Sequence, residues 1–130
     1  MVELWQIHAT FMVTGLIVVI FVSLIARFFR TKPWWFRVHR IVATLGLIIV
    51  LVGFLTAFYM VSITSGLHFT IPHHWTGLSA LIFATLTVLV GYLRPRLHLS
   101  RTHFRWIHIG LAFITAILML LNIIFGFMLV

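Results

Sequence analysis

The sequence predicts an all-α integral membrane protein, an up-down-up-down four-helix bundle with both termini extracytoplasmic. Three observations carry this expectation. First, 63% of the 130 residues are hydrophobic and mean hydropathy is +1.23, against about 45–50% apolar residues in soluble domains. A soluble fold of 15.0 kDa could not hide that surface, so lipid must be the solvent. Second, four apolar runs each reach the roughly 20 residues needed to cross about 30 Å of hydrocarbon. Third, all nine lysines and arginines flank the first and third breaks between those runs.

The runs cover about residues 4–29, 35–63, 72–93 and 102–129 of a single domain, 1–130. The breaks read RTKPWW, TSGLHFTIP and RPRLHLSRTH, and each carries the proline, glycine or charge that turns favour. Arg27, Arg30, Lys32, Arg37 and Arg40 border the first break; Arg94, Arg96, Arg101 and Arg105 border the third. The positive-inside rule sets these two loops in the cytoplasm, with the termini and Ser65–Thr70 outside. Trp5, Trp34, Trp35, Trp75 and Trp106 all fall near span ends, where indole prefers the interface. The opening MVELWQ has no basic stretch and no small-residue cleavage site, so no signal peptide is expected. The expected location is the cell membrane, as a multi-pass protein. Nucleic acid is not an expected partner, because span topology accounts for the net charge of +8.

Cysteine is absent and Glu3 is the only carboxylic side chain. That excludes disulfides and thiolate metal sites, and argues against chemistry built on buried carboxylates. Histidine is what remains, at eight positions: 8, 39, 68, 73, 74, 98, 103 and 108. His8, His39, His74 and His108 each open a span. With alternating helix directions, His8 and His74 share the outer layer, and His39 and His108 the inner one. Around a square bundle each pair lies on a diagonal of roughly 11–14 Å, a gap that two imidazoles and one metal can bridge.

A single interfacial histidine is often only a polar rim residue, and His68 and His98 sit in loops. His73 lies about 100° around the helix from His74, and His103 about 140° from the face of His108. Glycines recur in phase with the layered histidines: Gly15 after His8, Gly46 and Gly53 after His39, Gly126 after His108. They either clear helix surface for a flat macrocycle or serve close helix packing. Two ligands per layer suit haem, which brings four nitrogens and needs two axial ligands; a bare ion wants three or four from the protein. Without CxxCH the attachment is non-covalent, so two haem b groups are expected. Filled axial positions favour electron transfer over oxygen activation.

These residues resemble the cytochrome b561 family over nearly the whole chain. HATFMVTG looks like the family's H-P-x-x-M-x-x-G, with Ala9 in place of proline. RVHRIVATLGLIIVLVG is similar to the second core helix and WIHIGLAF to the last. HHWTGL looks like H-S-W-x-G-L, with the ligand taken as His74. The resemblance implies two haem b groups, held by His8 with His74 and by His39 with His108, and electron transfer across the membrane. The outer two helices of eukaryotic members are missing, so the chain looks like a minimal prokaryotic form. Where the family often has a lysine, three before the second ligand, this chain has Phe36. Arg37, Arg40 and Arg105 are then the expected holders of an anion or of the haem propionates.

The expected function is electron transfer from a cytoplasmic-side or membrane donor to an acceptor on the other side, with a ferric-reductase-like activity among its forms. Partners are membrane lipid and an unidentified donor and acceptor: quinol, an ascorbate-like reductant or a ferric chelate. A homodimer is one assembly considered. Two alternatives stand beside this: a haem b anchor subunit of a larger redox complex exchanging electrons with quinone, and a histidine-based channel or metal transporter without haem. Co-purification of a soluble partner marks the first and a colourless protein the second.

Overall fold

The computed structural model describes residues 3–129, all in helices or short connections. The order is α1 (Leu4–Phe28), α2 (Trp35–Thr64), α3 (Pro72–Leu93), a 3-10 turn (Arg94–Arg96) and α4 (Arg101–Phe127). Each helix has a local cause. At the start of α1 the Glu3 backbone N–H donates to Gln6 Oε1 at 3.0 Å, meeting one of the donors a helix start leaves open. α3 begins on Pro72, whose missing N–H costs nothing at a first helical position. Ser100 caps α4, its hydroxyl accepting from the His103 backbone N–H at 3.2 Å. α2 ends where Gly66, at φ +67, folds its N–H back onto the Val61 carbonyl at 2.8 Å. That left-handed conformation favours glycine.

All four helices are long and apolar enough to cross a membrane. The shortest, α3, has 22 residues, or about 33 Å at 1.5 Å per residue; that exceeds the roughly 30 Å of hydrocarbon. Large side chains such as Phe113, Trp106 and Phe127 cover the outside. The buried apolar core is thin: its central cluster takes one residue from each helix, Met12, Val50, Ala80 and Met119, with Val22, Ile25 and Ala84 also buried.

The most extensive interfaces join α1 to α2 and α3 to α4; smaller ones join α1 to α4 and α2 to α3. The α1–α2 interface depends on two glycines. A Cβ on Gly15 would stand 2.6 Å from Val50 Cγ2, and one on Gly46 would stand 2.7 Å from Val18 Cγ1. Neighbouring valines occupy the space these glycines leave. For Gly15 and Gly46 this corrects the expectation of cleared macrocycle surface: they serve close helix packing.

Candidate cofactor site

The histidines meet in two pairs, each across the bundle. His39 on α2 and His108 on α4 have ring centroids 6.1 Å apart with planes at 60°. His8 on α1 and His73 on α3 have centroids 5.9 Å apart with planes at 89°. Two imidazoles bound on opposite sides of one metal, at about 2.0–2.1 Å per bond, put their ring centroids roughly 6 Å apart. Both pairs match that separation. Among the described residues no group of three or more His, Cys, Asp or Glu side chains converges on a point. Each site therefore offers two nitrogens.

The second ring nitrogen of these histidines is also placed. His8 Nδ1 is 2.8 Å from the Gly53 carbonyl, His73 Nδ1 3.0 Å from that of Asn122, and His39 Nδ1 3.3 Å from that of Val22. A carbonyl only accepts, so in each case Nδ1 carries the hydrogen and donates it. In a neutral imidazole this leaves the Nε2 lone pair free for a metal, an arrangement that also fixes ring orientation and raises ligand basicity. His108 Nδ1 is buried and completes no hydrogen bond; the Thr87 backbone lies nearby.

These partners follow one rule. Gly53 is fourteen residues after His39, Val22 fourteen after His8, Asn122 fourteen after His108, and Thr87 fourteen after His73. Within each of the α1–α2 and α3–α4 pairs, each histidine thus turns to the level of backbone fourteen residues beyond the other. Fourteen residues make nearly four turns, about 21 Å of helix, and that is the spacing between the two histidine levels.

The pattern corrects one expectation. The sequence was read with His74 facing His8, but the ring opposite His8 is that of His73. His73 also fills the space over Gly126, where a Cβ would stand 3.1 Å from its Cε1. The physical reason is register: one residue turns a helix by about 100°, and the α4 contact holds position 73 toward the axis. His74 is half-buried beside His73, ring centroids 6.3 Å apart, with a buried Nδ1 that has no partner.

Two cavities flank the His8/His73 pair. One of about 380 Å³ opens beside Trp5, Val13, Ile123 and Phe127 of α1 and α4. The other, of about 50 Å³, lies beside Phe54, Phe58 and Gly77 of α2 and α3. His8, His73, His74, Met12 and Asn122 line both. A flat group between the two imidazoles would extend into both spaces. Gly53 and Gly126 belong to this site, Gly53 through its carbonyl and Gly126 through the room it leaves for His73.

Around His39 and His108 the surroundings are aromatic and cationic. Trp35 lies 6.0 Å from the His39 ring, and Phe104 stacks on His108 at 5.7 Å and 11°. Arg94 holds its guanidinium 5.3 Å over Phe104, and Arg40 lies 4.4 Å over Tyr92. Arg37 and Arg105 are exposed at the same end. Of the remaining histidines, His68 stacks on Phe58 at 4.1 Å and lines the smaller cavity, His103 bonds Ser100, and His98 is exposed. Sequence reading missed Asn122 and Thr76, both at the His8/His73 site. The signal was available, since a lone asparagine stands inside the apolar run LMLLNIIFGF and a polar group inside a span is functional by default.

The chain matches no family model, no characterised protein and no solved structure, so the site is read from its own geometry.

Proposed function

We propose that this protein carries electrons between the two faces of a cell membrane through two haem b groups, one at each histidine pair. The observation that carries the reading is the pair of ring separations, 5.9 and 6.1 Å, with three of the four Nδ1 groups donating to carbonyls. His8 and His73 would hold one group and His39 and His108 the other, each through Nε2. Bound there, haem b supplies a one-electron iron couple whose axial positions are both filled. The chain's own residues fix the imidazoles, keep water from the pairs and set the local charge. His74 Nδ1, buried and without a partner, would donate to a carboxylate at the first site. Arg37, Arg40, Arg94 and Arg105 supply positive charge at the second.

The same reading makes the bundle up-down-up-down. His8 and Gly53 meet at one level and His39 and Val22 at the other, as expected when chain starts and ends alternate. The basic end, with His39/His108, is then cytoplasmic, and the His8/His73 end and both termini are outside. The donor acts from the cytoplasm or the membrane, and the acceptor from the other side; the resemblance to cytochrome b561 suggests quinol, an ascorbate-like reductant or a ferric chelate for these roles. Proteoliposomes test the reading. With a reductant trapped inside, an impermeant oxidant outside should be reduced only when haem-loaded protein is present. Equal rates with and without protein would refute it. A reporter fused to the C-terminus should report the extracytoplasmic side.

A further inference from the structure

Three of the carbonyls that accept from a histidine belong to Gly53, Val22 and Asn122, and only Asn122 has a side chain that can be tied down. Asn122 is 2% exposed. Its Oδ1 accepts from Thr76 Oγ1 at 2.9 Å while its backbone carbonyl accepts from His73 Nδ1 at 3.0 Å. Thr76 lies three residues after His73 on α3, so one residue of α4 is gripped twice by one turn of α3. Gly77 makes the approach feasible, since a Cβ there would stand 3.2 Å from Asn122 Oδ1. Nothing comparable holds Val22 to His39.

We propose that Thr76 and Asn122 are positioning residues that set the redox potential of the centre at His8/His73. Resting on the haem reading above, the inference concerns the strength of one ligand. The Thr76 hydroxyl fixes the Asn122 side chain, and so fixes the carbonyl that receives the His73 Nδ1 hydrogen. A short, fixed hydrogen bond makes the imidazole a more basic ligand. A more basic ligand favours the oxidised metal, so the brace holds this centre's potential down. Its site is also the one without lysine or arginine, so ligand strength and charge act in the same direction.

The test is a redox titration of the purified, haem-loaded full chain, following the two centres by visible and electron-spin-resonance spectra. Thr76→Val removes only the hydroxyl and nearly keeps the volume. At fixed ambient potential it should raise the ratio of reduced to oxidised haem at His8/His73 by about threefold, a shift of about 30 mV for a one-electron couple. Its spin-resonance signal should change too, as the His73 ring turns. The His39/His108 centre in the same molecules should not move, which separates loss of the brace from general loosening. Thr76→Ser should restore wild-type behaviour. Asn122→Leu should reproduce the Val result, and its unchanged second centre would show that the bundle is intact. A Thr76→Val protein in which both centres titrate as wild type overturns the inference, as does an equal shift of both. A wild-type chain that takes up no haem overturns the proposed function, and the tuning role with it.

Discussion

The two ends of the bundle hold nearly the same pair of imidazoles in opposite surroundings. Ring separations differ by only 0.2 Å, from 5.9 to 6.1 Å. At the His39/His108 end, Arg94 lies over Phe104, which itself stacks on His108. At the His8/His73 end there is no lysine or arginine, and a buried Asn–Thr bond braces one ring from behind. Ligand geometry is set by the fourteen-residue repeat that both helix pairs share. Surroundings are set independently at each end by the side chains on that frame. On the proposed haem reading, the two centres would have the same ligands and different potentials, with the step from His39/His108 to His8/His73 uphill and drawn forward by the acceptor.

The comparison breaks most visibly if one pair is removed. His39→Ala should halve the haem per chain and leave the His8/His73 signal, and His8→Ala should do the reverse, because the pairs share no ligand and lie about 21 Å apart. Haem content and the reduced spectrum read this directly. Loss of both from either variant, in a folded protein, would mean that the two ends are one site. Next in size is register at the His8/His73 end. His73→Ala should lose the low-spin signal of that centre, whereas His74→Ala should keep it and weaken retention of the group. The opposite result would restore His74 as the ligand.

Gly15 and Gly46 lie midway between the two histidine levels, so a wedge there should affect both ends alike. Gly46→Ala drives a Cβ against Val18, whose branched side chain has little rotamer freedom. It should cost about 1–3 kcal/mol of stability in detergent unfolding. Gly110→Ala meets no atom within 4 Å and should be neutral or stabilise by up to about 1 kcal/mol. The smallest effect is electrostatic. Arg94→Gln should lower the potential of the His39/His108 centre by roughly tens of millivolts, since its charge is partly screened, and leave the other centre unchanged.

Much of this was legible in the sequence. Hydropathy and the breaks located the spans to within two residues at every end: 4–29, 35–63, 72–93 and 102–129 were expected, and 4–28, 35–64, 72–93 and 101–127 are observed. Apolar length is a strong, local signal when lipid is the solvent. The His39/His108 pair was legible because His39 is the only histidine in its helix and His103, the other one in α4, lies about 140° from the face of His108. The His73/His74 choice was not resolved by layering, since both share one level and only the α4 contact distinguishes their faces. The glycine phase misled for Gly15 and Gly46 because seven residues bring a position back to the same face whether a cofactor or a neighbouring helix lies there. The carbonyl partners had no signal at all: any residue offers a carbonyl, and Val22 looks like every other valine in its span. Asn122 did carry a signal, as the one amide in an apolar run.

Haem content per chain tests the central claim most directly. Wild-type protein, purified in mild detergent and assayed by pyridine haemochrome against measured protein concentration, should hold two haem b groups per chain, both low-spin when oxidised. A colourless protein after haem reconstitution, or one group per chain with both histidine pairs intact, would contradict the account.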